Sequence, residues 1–382
     1  MTDALFSPEG EHDTGAHARA NAAEKSVPPA FEAASEVLVK HAADAGLSCD
    51  IAPFPREGSL AERLAARPYL MAPMAGVSDA AYRMMARAGG AGLAYSEMVS
   101  VAGIHYAGEK TWDLVYPKGA EPDVAVQLFG SKPEQFREAA ALVCERVGSR
   151  LALIDVNMAC PVPKVTRKGE GSALLDEPER AAKIIEACVS ASSVPVTCKI
   201  RRSRRPGPEQ APDFARAMEQ AGAAAVAVHG RTASQLYRGE ADWGVVRRVV
   251  EAVSVPVIGS GDVMDAAAAS RMRAETGACA VMVARGAYGN PWVFSGALDV
   301  DAGLEPHVPG LRERLAAFEC HVRLLSVTGA HMARGRSLAG WYLKGMPHAA
   351  AWRNRAMTCV TLDDFLEMID ALRAYVEAAG EL

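Results

Sequence analysis

An apolar run, Leu153-Ile154-Asp155-Val156, ends in Asn157, and three residues later Cys160 sits against Pro161. Residues 152–156 read as a buried strand. The proline forbids further ladder pairing, so Cys160 belongs in a loop just past the strand's end. A thiol at the carboxyl end of a parallel strand is well placed for chemistry and poorly placed for packing. An isolated cysteine is more often a small buried hydrophobe. Here the basic, glycine-containing segment 164–171 that follows favours the chemical reading.

The elements that must position this thiol begin near Pro68, where short apolar runs alternate with amphipathic stretches of helical length. The runs are 69–72, 93–95, 124–129, 152–156, 196–200, 225–229, 257–259 and 280–283. Helical patterns fill the spacers at 133–147, 177–191, 211–221 and 243–253. Two spacers end alike, in Ser193-Val194-Pro195-Val196 and Ser254-Val255-Pro256-Val257, as βα units of one plan should. Strand runs with helical crossovers imply an α/β fold, a (β/α)8 TIM barrel spanning residues 66–304. A doubly wound sheet would show G-x-G-x-x-G after its first strand, and none is present. Beyond residue 305 the strand runs stop. Helical patterns at 311–327, 337–344 and 362–379 make 305–382 a small C-terminal helical domain. Residues 1–65 read as an N-terminal extension, partly disordered or helical. Phe31, Ala34, Val37, Leu38 and Ala42 have the spacing of one short helix, and no chemistry is assigned to the segment.

In such a barrel the strand ends carry the site. The first strand runs into Pro73, Met74, Ala75 and Gly76, a tight path that lets backbone approach a flat ligand, or an ordinary β-to-α turn. The second ends at Glu97, which has an equally good structural reading. The third carries Gln127, an amide that both donates and accepts. The fifth runs through Lys199 to Arg201, and an ammonium inside a core-like run needs an anionic or electron-rich partner. The sixth ends in His229-Gly230-Arg231-Thr232. The seventh and eighth lead into Ser260, Gly261 and Asp262 and into Ala284 and Arg285; loops at these two positions commonly bind phosphate, and Arg285 can address it bidentately. Together these residues call for a phosphorylated, planar cofactor over the barrel mouth, and FMN is the economical choice.

Composition bounds the alternatives. Half the residues are hydrophobic and the net charge is −5, which argues against a generic nucleic-acid binder. The charge is uneven: residues 1–60 are strongly acidic, whereas 311–357 carry eight bases, among them Arg353 and Arg355, against two acids. That basic stretch could face a polyanion or simply be a solvated helical face. The eight cysteines form no C-x-x-C pair, so neither a metal site nor a disulfide framework is expected. There is no secretory signal and no apolar run of membrane-spanning length. A cytoplasmic monomer without a membrane association is expected.

These residues resemble the tRNA-dihydrouridine synthases, most of all the bacterial B-type branch, from about Pro68 to the C-terminus. The specific pieces are Ala72-Pro73-Met74-Ala75-Gly76-Val77, Asn157-Met158-Ala159-Cys160-Pro161, His229-Gly230-Arg231-Thr232 and Arg285-Gly286-Ala287-Tyr288-Gly289-Asn290-Pro291-Trp292, with Trp341-Tyr342-Leu343-Lys344-Gly345 in the tail. The resemblance implies an FMN enzyme that reduces chosen uridines of tRNA to 5,6-dihydrouridine with NADPH as reductant. Pro73, Met74, Ala75, Gln127, Lys199, His229, Ser260, Gly261, Asp262, Ala284 and Arg285 would then line FMN. Asn157 would contact the uracil, and Cys160 matches the proton donor. Arg201, Lys164, Arg353 and Arg355 are further candidate substrate contacts, read from their charge: Lys164 beside nearby phosphates, Arg353 and Arg355 toward tRNA. Hydride from flavin N5 would reach C6 while Cys160 protonates C5 from the opposite face; a thiol of ordinary pKa, about 8.5, is protonated and competent near neutral pH. A loop cysteine is free to swing over the base. Ala159 replaces the family's glycine, which predicts mild strain if that position needs positive φ, and Ser260 replaces its asparagine. A small-molecule pyrimidine reductase and a non-catalytic RNA-binding barrel are the competing readings; the basic tail disfavours the first and intact Cys160, Lys199 and Arg285 the second.

Overall fold

Eight strands, all paired in parallel, form the inner sheet of the structure, a computed structural model that describes residues 29–106 and 108–378. The expectation for residues 1–28, and the last residue of the helix expected at 362–379, lie outside the described residues. The strands are β1 (Tyr69–Met71), β2 (Val99–Ser100), β3 (Val124–Phe129), β4 (Leu151–Met158), β5 (Val196–Arg201), β6 (Ala225–His229), β7 (Val257–Ser260) and β8 (Ala280–Val283). Their order is β1-β8-β7-β6-β5-β4-β3-β2, with helices outside, which is the (β/α)8 barrel expected.

The apolar run 93–95 behaves differently from the other runs. It closes the ring through single bridges, Met71 to Ala94 and Tyr95 to Ala125, while regular pairing with β3 occurs later, at β2. The cause is local. The Ser96 hydroxyl accepts the Gln127 amide at 3.0 Å, so a side chain takes a hydrogen bond the ladder would otherwise use. β4 is longer than its apolar run and carries Asn157 inside the strand.

Residues before Pro68 contribute to the barrel. Ser59 and Glu62 cap the helix Leu60–Ala66 with a reciprocal capping box. Phe54, Leu60 and Leu64 share a buried cluster with Leu70, Leu153 and Ile258. The Phe54 amide donates to Asp123, whose carboxylate also pairs with buried Arg87 at 2.7 Å.

The helices Leu311–Val327, Arg334–Tyr342, Ala349–Ala356 and Leu362–Ala378 build a second core, to which the helix Pro29–His41 adds Ala34 and Leu38. Ala349–Ala356 is not legible in the pattern: of its residues only Ala356 is buried, so no apolar stripe marks it. Arg334–Tyr342 begins earlier than the expected 337, at a residue with a specific task. Arg334 reaches Asp79 at 2.8 Å and Glu97 at 2.9 Å, both on barrel loops. Tyr288 of the barrel stacks on Trp341 with centroids 4.2 Å apart. At Gly289, φ is +63° and a Cβ would lie 2.7 Å from the Trp341 backbone, so only glycine permits this approach. Arg334→Ala is expected to cost about 1–2 kcal/mol, because Asp79 and Glu97 lose a charged donor. Urea denaturation and faster limited proteolysis between the two cores would register it.

Candidate active site

The carboxyl ends of the strands surround a cavity of about 330 Å³. Pro73, Met74, Ala75, Gln127, Asn157, Cys160, Lys199, Arg201, His229, Ser260, Gly261, Asp262, Ala284 and Arg285 all line it. Lys164, Arg353 and Arg355 do not; Lys164 and Arg355 are exposed and Arg353 is half-buried on the helical domain. Residues the sequence reading passed over also line it: Met98, Met282, Tyr237 and Tyr288. Tyr237 is 62% exposed, an aromatic face at the cavity mouth. Its only sequence signal is its position in the loop after the sixth strand.

Cys160 is half-buried, and hydrogen bonds hold the backbone around it. The Asn157 side-chain oxygen accepts the amides of Ala159 at 3.2 Å and Cys160 at 2.9 Å. The Cys160 carbonyl accepts the Ser172 amide at 3.0 Å, and Arg201 Nε donates to the Ala159 carbonyl at 2.8 Å. Gly171, at φ +59°, backs the loop so closely that a Cβ would sit 2.8 Å from the Cys160 carbonyl oxygen. Gly171→Ala is therefore expected to push the loop inward and lower turnover about tenfold or more, with steady-state rates per mole of folded protein as the check. Ala159 has no positive φ; among the described residues the left-handed non-glycine positions are Leu236, Asp262 and His348. The substitution of glycine there brings no backbone strain, since the Asn157 side chain shapes the turn.

Several polar groups expected to face a ligand are partly spent on neighbours. Gln127 donates to Asp155 at 2.7 Å and accepts from Asn157 at 2.7 Å. Asp262 holds Arg231 through both oxygens at 2.7 Å, takes the Ala241 amide at 2.8 Å and Arg285 at 2.9 Å. Arg285 is thus clamped between this carboxylate and the Tyr237 ring, 5.0 Å away. Arg201 also donates through Nη1 to the Thr232 and Leu236 carbonyls, which leaves Nη2 for the cavity. Lys199, by contrast, makes no hydrogen bond or ion pair among the described residues while lining the cavity.

The charges follow. Burial pushes the Cys160 thiol above its ordinary value, so it is protonated at neutral pH, while the Val162 amide and then Arg201 and Lys199 pull the other way. Burial, then Arg201, lowers Lys199 to about 8, and burial lowers Arg201 to about 10; both remain cations at neutral pH. Burial, then Lys199 and three arginines, hold the His229 imidazole neutral.

These features fit a flat, phosphorylated cofactor. The amides of Gly261, Asp262 and Val263 donate to no acceptor among the described residues, beside Arg285, which suits an anion. Gly261, at φ +114°, leaves room that a Cβ would take from His229, 2.6 Å away. Ala72, Met74, Met98 and Met282 add apolar surface. Among the described residues no three His, Cys, Asp or Glu group as for a metal ion, and no helix is long and apolar enough to cross a membrane.

Comparison with known proteins agrees with this geometry. The family model described as Dihydrouridine synthase (Dus) matches residues 70–379. The chain is 37% identical over 315 residues to tRNA-dihydrouridine synthase B of Yersinia pestis, covering 81% of this chain and 95% of that one. It is 36% identical over 298 residues to tRNA-dihydrouridine synthase B of Xanthomonas axonopodis pv. citri, covering 76% and 88%. With a probable tRNA-dihydrouridine synthase of Rickettsia conorii the identity is 37% over 292 residues, 74% of this chain and 86% of the other. The chain is a member of the dihydrouridine synthase family, of the bacterial B type.

Proposed function

We propose that this protein reduces selected uridines of tRNA to 5,6-dihydrouridine, with FMN in the cavity and NADPH as reductant. One observation carries the reading: a protonated thiol, Cys160, faces the same cavity as the unpaired Lys199 ammonium and the anion-binding corner at Gly261, Asp262 and Arg285. That corner would hold the phosphate, and Pro73, Met74, Ala75, Gln127, Lys199, His229, Ser260 and Ala284 would surround the ring system. When bound, FMN supplies the hydride that C6 of the uracil receives.

The chain's own residues account for the rest. Cys160 holds a proton for C5, because desolvation keeps the thiol neutral until charge develops on the base. The thiolate left behind lies within the field of Arg201 and Lys199, which stabilise it. Arg201 Nη2 remains for a uracil carbonyl, and the second amide hydrogen of Asn157, which meets only the weakly accepting Met98 sulfur at 3.9 Å, can turn to the other. Tyr237 at the mouth offers a ring against which an extruded base can stack, offsetting part of the few kcal/mol that unstacking costs.

Lys164 on the barrel rim and Arg353 and Arg355 on the helical domain would contact tRNA phosphates. Arg353→Ala with Arg355→Ala is expected to weaken tRNA binding, most strongly at low salt. It should also reduce the slope of log affinity against log salt by roughly one unit per lost contact. Fluorescence anisotropy between low and physiological salt measures this, and an unchanged slope would place the docking surface elsewhere. The reading itself is tested by mapping dihydrouridine in total tRNA from cells lacking the protein. Loss at one or more positions, restored by the wild-type chain, is the expected result.

A further inference from the structure

Beneath Cys160 runs a chain of hydrogen bonds that starts inside the barrel. Asp155 is fully buried on β4, with Gln127 of β3 and Thr197 of β5 beside it in register. Its carboxylate accepts the Thr197 hydroxyl at 2.6 Å on one oxygen and Gln127 Nε2 at 2.7 Å on the other. Gln127 Oε1 accepts Asn157 Nδ2 at 2.7 Å, and Asn157 Oδ1 accepts the Cys160 amide at 2.9 Å. Asp155 and Asn157 are two apart on one strand and so lie on the same face.

We infer that Asp155 is a positioning residue, whose carboxylate sets the direction of the amide chain that holds the Cys160 loop. An ionised carboxylate accepts and cannot donate. Gln127 must therefore turn its NH2 toward Asp155 and its oxygen toward Asn157. Asn157 must then turn its NH2 toward Gln127, which leaves its oxygen for the loop amides of Ala159 and Cys160. Only this direction gives each bond of the chain one donor and one acceptor. The substitution Asp155→Asn removes that constraint, because the new side chain can donate to Gln127 Oε1 and let both amides reverse. The reversed Asn157 would then present NH2 to two backbone N–H groups, and the loop would lose its cap.

Two further observations point the same way. A carboxylate at this depth is costly to bury, and an apolar side chain is the stabilising choice in a barrel interior; burial lifts Asp155 to about 6 against the favourable pull of Gln127, Thr197 and Lys199. The Tyr95 hydroxyl, near enough for the Asp155 charge to raise it, is buried without a partner among the described residues. Asp155 has therefore not been recruited to satisfy that hydroxyl. Its bonds run toward Cys160.

The kinetic part of this inference rests on Cys160 as proton donor, whereas the geometric part does not. The test compares wild type, Asp155→Asn and the exchange Asp155→Asn/Gln127→Glu. In the exchange the amide introduced on β4 donates to the carboxylate introduced on β3. That carboxylate still accepts from Asn157, and the original direction returns. Two quantities are read: the rate of iodoacetamide alkylation at Cys160, by peptide mass spectrometry, and kcat and KM for tRNA per bound flavin. Asp155→Asn should change the alkylation rate severalfold and lower kcat about ten- to hundredfold with little change in KM; the exchange should recover much of both. Wild-type alkylation and kcat in Asp155→Asn, or an exchange variant no better than the single one, would overturn the inference. Should Asp155→Asn fail to fold, the exchange variant decides alone: near wild-type alkylation supports the inference and a defective rate refutes it. A wild type that forms no dihydrouridine defeats the proposed function, and the alkylation series still decides the role of Asp155.

Discussion

Cys160→Ala is expected to lower dihydrouridine formation on tRNA by about 10²–10⁴-fold, the usual contribution of a positioned general acid. Flavin binding and reduction by NADPH should persist. The expectation rests on how the thiol is held. Desolvation keeps it protonated, the Asn157 side chain and the Ser172 amide fix its backbone, and Arg201 and Lys199 favour the thiolate formed on donation. Alanine removes the proton and the sulfur's one backbone contact, to the Val162 amide, while the Asn157 and Ser172 bonds that pin the loop do not involve sulfur. Cys160→Ser separates acidity from shape: a hydroxyl fits the space but is a far weaker acid, so it should rescue little. Single-turnover mixing of reduced enzyme with tRNA reads the step directly. Near wild-type rates in the alanine variant would remove Cys160 from the chemistry.

The second large effect belongs to Lys199. Lys199→Met should weaken FMN binding at neutral pH by about ten- to hundredfold, the range for losing a charged hydrogen bond. In the flavin-free protein burial and Arg201 bring Lys199 to about 8. A partner that prefers the ammonium raises that value on binding, so wild-type affinity should be greatest below about pH 8 and decline above it. The variant should show a flat profile across the same window. Stability of the flavin-free chain runs the opposite way. The folded state binds fewer protons than the unfolded state between about 8 and 10.5, so wild-type stability rises across that range as the buried ammonium is discharged. Lys199→Met should be the more stable protein at pH 7, with the difference shrinking as pH increases. Fluorescence titration with FMN and denaturant melts at several pH values test both statements.

Much of this is legible in the chain because strand ends in a barrel accept polar residues for few reasons other than chemistry. Lys199 and His229 stand out as misfits in apolar runs, and the structure puts them on the same cavity as Cys160. What is not legible depends on lateral neighbours. Gln127 and Asn157 can be named as site amides, but their mutual bond joins strands far apart in sequence. Asp155 is absorbed into a run that reads as core, although its register with Gln127 and Thr197 makes it the origin of the chain below Cys160. The same limit applies to Asp262, expected beside a ligand and found also to anchor Arg231 and Arg285. Sparse apolar residues hide packing as well: Phe54, Leu60 and Leu64 lie in a segment that reads as an appendage, yet they are buried against the barrel. Residue type alone leaves strain at Ala159 conditional on a positive φ, and a side-chain oxygen, not a left-handed φ, makes that turn.

The most direct measurement is nucleoside analysis of tRNA taken from cells lacking the protein, after incubation with the purified chain, FMN and NADPH. New dihydrouridine at a defined position, dependent on NADPH and abolished by Cys160→Ala, is the result predicted. Wild-type protein that carries reduced flavin, binds this tRNA and leaves every uridine unchanged would contradict the account.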